Sequence, residues 1–262
     1  MVDYKIPIND YKKVMVEKIE KAINPFCAPL YFLQSRDADA AKIHNNGTIA
    51  LINTGLKKIF VTAYHVWDAY QRKKQENSNL ILAIGTGNKS PTVLMEEACL
   101  IDGDSKLDIA VLSFKNSDFY PEDQKKFYMC SHWPASPPKK DDRVAFIGYP
   151  AQFRMPNQPE EGVFSGSLLF DSFVTSVNSF YISSVDEHKE RQEILYNDSF
   201  KKITDFGGIS GAPVYNIKRN NNFELIGFVI ETNGGNNEII KIARADFIKT
   251  DGTLEYNKII NI

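Results

Sequence analysis

What most limits how this chain can fold is a succession of short aliphatic and aromatic runs, most of them separated by Gly, Asn, Asp or Pro. They fall at residues 29–33 (PLYFL), 47–53 (GTIALIN), 59–62 (IFVT), 80–84 (LILAI), 93–95, 109–114 (IAVLSF) and 143–147 (RVAFI). Further runs follow at 162–167, 173–177, 179–182, 213–215, 225–230 and 239–242. Each is too short for a helix, and each is bounded by residues that favour turns. Many short strands at close spacing predict an all-β sandwich or barrel architecture.

The first residues differ in texture. Tyr11, Val14, Met15, Ile19, Ala22 and Ile23 recur at the three-to-four spacing of one helical face, with Lys and Glu between them, while Val16 falls off that face. Asn9 or Asp10 is placed to cap this helix, and Pro25 to stop it. Beyond it, only 66–74, 187–196 and 243–249 read as helical. The stretch 134–142 is rich in Pro and Lys and suits a linker between two halves.

Composition removes several function classes. The 31 basic and 33 acidic residues nearly cancel, so the chain lacks the basic excess of a nucleic-acid binder. The cluster Arg72, Lys73, Lys74 reads as a solvated face. The three cysteines, Cys27, Cys99 and Cys130, are odd in number and far apart. They suit reduced thiols rather than a disulfide framework. The N-terminal residues contain no continuous apolar stretch of the signal-peptide kind, and no run approaches a membrane span. The expectation is a cytoplasmic protein without membrane or nucleic-acid partners. His44, His132 and His188 have no ligand-spaced neighbours, so no metal is assigned.

Three local signatures carry chemistry. In FVTAYHVWDAY an apolar strand runs into His65 at the start of a helical pattern. In KLDIAVLSF, Asp108 stands just before an apolar strand. In FGGISGAPVYN, Ser210 sits in a Gly-rich turn before another strand. Acyl transfer needs these three residue types together. A serine hydroxyl is a weak nucleophile, so a histidine must take its proton, and a carboxylate must fix the imidazole tautomer. The chain order His, Asp, Ser differs from the Asp, His, Ser of subtilisins and the Ser, acid, His of α/β-hydrolases. All four histidines precede Ser210, which excludes an α/β-hydrolase triad on that serine. Asp102 and Asp104 sit in a loop and are weaker candidates for the acid, as is Asp68 close to His65.

With these residues in place, the chain resembles the chymotrypsin/trypsin-like serine peptidase family, particularly its bacterial intracellular-type members. VTAYHV resembles the family's T-A-x-H motif, LDIAVL its D-I-A-L motif, and GGISGAPV its G-x-S-G-G-P-V motif. AFIGYP, at 145–150, resembles a G-[FY]-P stretch found at the start of the second barrel. The resemblance covers roughly residues 28 to 245. It implies two six-stranded antiparallel β-barrels, with His65 and Asp108 on the first, Ser210 on the second and the site in the cleft between them. The organisation expected is an N-terminal helical segment over 1–27, a first barrel over 28–133, a linker over 134–142 and a second barrel with a short C-terminal helix over 143–262. The resemblance further implies an oxyanion hole from the N–H groups of Gly208 and Ser210. It puts Thr204 near the base of the substrate pocket, and Ile230, Glu231 and Thr232 along one wall where substrate backbone pairs. A protein or peptide substrate and no cofactor are implied.

The chain also departs from the family pattern. Ile209 stands where secreted members carry an Asp that pairs with a newly cut N-terminus, so that activation route is closed here. Ala212 replaces the second glycine, which a turn without positive φ at that position tolerates. No carboxylate falls at Thr204 itself, although Asp205 is adjacent. The sequence therefore leaves two functions open: an endopeptidase, or a latent or non-catalytic module of the same fold that acts with an activating partner protein. A serine esterase or transacylase using the same chemistry stands as a third.

Overall fold

Pro25 ends the first helix as the sequence predicts. The structure, a computed structural model, describes residues 8–34, 43–85, 93–95, 97–115, 125–130, 132–133, 137–151, 154–156, 163–165, 167–186, 206–218, 222–233 and 238–256. Helix α1 spans Ile8–Ile23, and the proline lies in the 3₁₀ turn Asn24–Phe26 that follows. Ile19 and Ile23 are buried, and Met15, Val16 and Ala22 pack against the same apolar cluster. Val16, expected off the face, is drawn in because the covered stripe is wider than a narrow two-position seam. The side chains of Tyr11 and Val14 lie outside the described residues.

The strands of the N-terminal half are β1 (Cys27–Leu33), β2 (Ile43–Asn53), β3 (Lys58–Thr62), β4 (Ile81–Ile84), β5 (Val93–Leu94), β6 (Cys99–Asp104), β7 (Ile109–Ser113) and β8 (Tyr128–Met129). Helix α2, Tyr64–Glu76, follows β3. These strands form one sheet in the order β5-β4-β1-β2-β3-β7-β6, with β8 added in parallel to β2. The C-terminal half contributes β9 (Arg143–Gly148), β10 (Arg154–Pro156), β11 (Val163–Ser165), β12 (Leu168–Val177), β13 (Tyr181–Asp186), β14 (Pro213–Ile217), β15 (Phe223–Asn233) and β16 (Glu238–Arg244). Six of these close into a barrel, β12-β13-β16-β15-β14-β9, while β10 and β11 form a separate ribbon.

The all-β fold of chymotrypsin/trypsin type is therefore present, with one closed six-stranded barrel and one open half-barrel. Among the described residues the N-terminal sheet has eight strands rather than six, and its edge strands β5 and β6 are not joined. The change from the first sheet to the barrel falls between Met129 and Arg143. The expected C-terminal helix is a single 3₁₀ turn, Ala245–Phe247. Ala243 and Arg244 instead continue β16, where they pair with Phe228 and Gly227 of β15. Ladder hydrogen bonds override their helical propensity. The helix expected over 187–196 lies outside the described residues.

Side-chain alternation explains why so many runs read as continuously apolar. In β2, Ile49 and Leu51 face a core inside the N-terminal half, whereas Ala50 and Ile52 face a cluster shared by both halves. In β9, Val144 and Phe146 face the barrel interior, and Ala145 and Ile147 the shared cluster. With a period of two, both faces of these strands are buried. Ile19 and Ile23 of α1 join this shared cluster, and each fully buried isoleucine contributes ~1.5–3 kcal/mol of transfer free energy. At its margin lies Lys125, whose Nζ donates to Asn24 O (3.1 Å), Asn24 Oδ1 (3.3 Å) and the Tyr149 hydroxyl (3.0 Å). Burial lowers the pKa of that ammonium.

Candidate active site

Helix α2 begins without a side-chain cap: Ala63 precedes it in an extended conformation. Its first N–H groups need acceptors, as at any helix start. Asp108 provides two of them. Its carbonyl accepts the Tyr64 N–H at 3.1 Å, and its Oδ1 accepts the His65 N–H at 2.9 Å. Its second carboxylate oxygen, Oδ2, lies 2.7 Å from His65 Nδ1. The carboxylate is thereby fixed on both oxygens, and it sits at the positive end of the α2 dipole. The pair opens to solvent on the imidazole side, with His65 53% exposed and Asp108 21%.

Asp108 reaches this position through an unusual backbone. Its φ is +55°, in the left-handed region where Asp is among the better-tolerated residues. The neighbours Leu107 and Ile109 are both fully buried and anchor it from either side. Asp104 Oδ1 accepts the N–H groups of Lys106 and Leu107, shaping the turn that leads in. Asp102 accepts the Leu254 N–H and the Tyr256 hydroxyl, so it holds the C-terminal segment. Asp68 pairs with Arg72 along α2. Of the carboxylates the sequence offered, Asp108 is the one bonded to His65.

Ser210 lies half-buried in the turn before β14. Two glycines there have positive φ, Gly208 at +100° and Gly211 at +94°, which only glycine adopts at no steric cost. A Cβ on Gly211 would lie 2.1 Å from Thr48 O and 2.5 Å from Thr62 Oγ1. The turn is closed by Ile209 N–H to Phe206 O and Ala212 N–H to Ile209 O, and tied to β15 by Gly211 N–H to Val229 O. Ala212 has no positive φ, which is why alanine fits. Ile209 is buried against Gly148, where a Cβ would approach the isoleucine Cβ to 2.7 Å. The N–H groups of Gly208 and Ser210 donate to no acceptor among the described residues.

The sequence did not single out what holds this turn from across the molecule. Thr48 of β2 donates its N–H to Ser210 O at 2.9 Å and its hydroxyl to Gly208 O at 2.9 Å. A second contact runs through Val66, the neighbour of His65. Gly47 packs so closely on Val66 that a Cβ would meet its Cγ1 at 2.8 Å, and the same Cβ would lie 3.4 Å from Ser210 O. The helix carrying His65 and the turn carrying Ser210 thus meet at Gly47 and Thr48.

The expected substrate-wall residues all lie on β15: Ile230 is buried in the shared cluster, Glu231 is exposed near Lys241 (3.5 Å), and Thr232 is half-buried. Thr204 lies outside the described residues. Among the described residues no group of three or more His, Cys, Asp or Glu is arranged to hold a metal ion, and no helix is long and apolar enough to cross a membrane. No curated protein matches the chain. A family model for the trypsin-like peptidase domain does match, over residues 47–227, and takes in His65, Asp108 and Ser210. That match spans well over half of the chain, and the chain belongs to the trypsin-like peptidase domain family, one of serine-protease type.

Proposed function

We propose that the protein is a serine endopeptidase in which Ser210 is the nucleophile, His65 the general base and Asp108 the group that fixes the imidazole. The observation that carries this reading is the 2.7 Å contact between His65 Nδ1 and Asp108 Oδ2, made while Oδ1 accepts the His65 N–H. With the Nδ1 proton held by the carboxylate, Nε2 keeps its lone pair and accepts a proton. Ser210 Oγ attacks the scissile carbonyl carbon as Nε2 takes its proton. The tetrahedral oxyanion is received by the N–H groups of Gly208 and Ser210. The leaving amine departs with the proton from Nε2, and water repeats the sequence to free the acyl group. Glu231 and Thr232 border the proposed substrate strand. The unpaired Cys27, Cys99 and Cys130 support a reducing, cytoplasmic location.

In place of the activation ion pair, Ile209 is seated on Gly148 and the turn is bonded to β2, which favours activity without proteolytic processing over latency. The test is labelling with a fluorophosphonate probe, in which the serine oxygen displaces fluoride from phosphorus. The purified wild-type chain should label and Ser210→Ala should not. Labelling that persists in Ser210→Ala would refute the assignment. If neither chain labels, the protein is a latent or non-catalytic module, and a partner protein is needed. Comparing amide with ester substrates then separates a peptidase from an esterase.

A further inference from the structure

Thr48 is fully buried in β2, yet its polar groups are all used, and most of them reach the C-terminal half. Its N–H donates to Ser210 O. Its hydroxyl accepts the Tyr149 N–H at 3.1 Å and donates to Gly208 O at 2.9 Å. Its own carbonyl accepts the Thr62 hydroxyl at 2.8 Å. The polarity of this relay is forced. A backbone N–H can only donate, so the Tyr149 bond occupies a lone pair of the hydroxyl and its single proton goes to the Gly208 carbonyl.

Gly208 is the pivot of the turn. At a φ of +100° its N–H and C=O ends are set by a conformation that a non-glycine residue rarely takes. Fixing its carbonyl therefore fixes the Gly208–Ile209 peptide, and rotation of that peptide would break the Thr48 bond. The turn is also seated closely at Gly211, where a Cβ would lie 2.1 Å from the Thr48 carbonyl and 2.5 Å from Thr62 Oγ1.

We propose that Thr48 is a positioning residue for catalysis: its hydroxyl holds the Gly208–Ile209 peptide so that the Gly208 and Ser210 N–H groups stay available to an oxyanion. This inference rests on the reading of Ser210 as nucleophile. It assigns to a threonine of the N-terminal half the ordering that an ion pair beside the nucleophile performs in secreted family members.

The experiment is saturable fluorophosphonate labelling of the full-length chain, with wild type and Ser210→Ala run alongside three variants. Thr48→Val keeps the shape and removes the hydroxyl, and Thr48→Ser restores it. Thr54→Val removes a buried hydroxyl that bonds Thr250 O at 2.6 Å, away from the turn. The inactivation rate constant of Thr48→Val should fall by at least about tenfold, towards the loss seen when an oxyanion donor is removed. Its apparent probe affinity and that of Thr48→Ser should stay within about threefold of wild type. Thr48→Ser should recover the rate, and Thr54→Val should lose thermal stability without losing rate. If Thr48→Val does not fold, Thr48→Ala removes the same hydroxyl without the branched methyl, and the same rate decides. Wild-type rates in folded Thr48→Val or Thr48→Ala would overturn the proposal. Failure of wild type to label, or labelling of Ser210→Ala, would instead overturn the nucleophile assignment.

Discussion

Replacing Asp108 by Asn isolates what the carboxylate does for His65, because the side chain keeps its shape and loses one acceptor. Asp108 serves two donors at once: Oδ1 faces the His65 N–H, and Oδ2 faces Nδ1. An amide has one acceptor and one donor end. The backbone N–H can only donate, so the amide oxygen must stay on that side and its NH₂ must turn to Nδ1. Nδ1 then has to accept, the ring proton moves to Nε2, and the nitrogen proposed as the general base can no longer take a proton. The wrong tautomer costs about 10⁴-fold in kcat, or ~5.5 kcal/mol of transition-state stabilisation at about 1.36 kcal/mol per decade. Stability should barely change, because the helix-start bond from His65 N–H is retained and a solvent-open side-chain pair contributes only ~0–1 kcal/mol. Fluorophosphonate labelling rates of wild type and Asp108→Asn, beside thermal melts of both, make the comparison. Labelling of Asp108→Asn within about tenfold of wild type, or a melt collapsed by the substitution, would refute the reasoning.

Two further outcomes follow from the geometry. Gly211→Ala places a methyl 2.1 Å from Thr48 O at a φ of +94°. The left-handed penalty alone is ~1–2 kcal/mol, so urea unfolding should show at least that loss; an unchanged midpoint would contradict the packing. Alkaline pH should also destabilise the fold. Burial pushes the Cys27 thiol up from its ordinary 9.0 to about 11 and Cys130 to about 12, while Tyr128 rises to about 12 and Tyr149 and Tyr215 lie well above 10.0. These groups stay protonated when folded and ionise when unfolded, so their contribution is complete below pH 9.0 and is lost as pH climbs through the folded values. Cys27 alone withdraws about 3 kcal/mol by the top of its window. Lys125, lowered by burial, works in the opposite sense and is outnumbered. Unfolding free energies that stay level from pH 9.0 to about 11 would sink this expectation.

His65 and Asp108 were legible in the sequence because each borders an apolar strand whose burial fixes where the polar neighbour emerges. The strands buried on both faces, such as β2 and β9, were legible for the same reason. β6 was not, since Cys99 and Leu100 are exposed and its other residues are only half-buried, leaving no apolar pattern to read. β8 (Tyr128–Met129) and β10 (Arg154–Pro156) contain no β-branched residue, unlike the equally short β5 and β11, which carry Val93 and Val163. At 243–249 the helix shrinks to the turn Ala245–Phe247 because the helical preference of Ala243 and Arg244 is outweighed by pairing with β15 and, for Ala243, also with Tyr181 of the more distant β13. Thr48 was missed on similar grounds. Its partners Tyr149 and Gly208 lie 101 and 160 residues away, and nothing local marks a threonine whose hydrogen-bond partners arrive from the other half of the chain.

Those same distances set an order of events during synthesis. The turn around Ser210 is tied forward to Val229 and backward to Thr48, and the barrel behind it closes only when β16 pairs with both β13 and β15. A nascent chain that has made β2, α2 and β7 already owns its histidine and aspartate, but it has no ordered serine to set beside them. The contacts that hold the Ser210 turn thus include a strand made after it, so a chain cut before β15 would carry the serine without the Val229 bond that ties its turn.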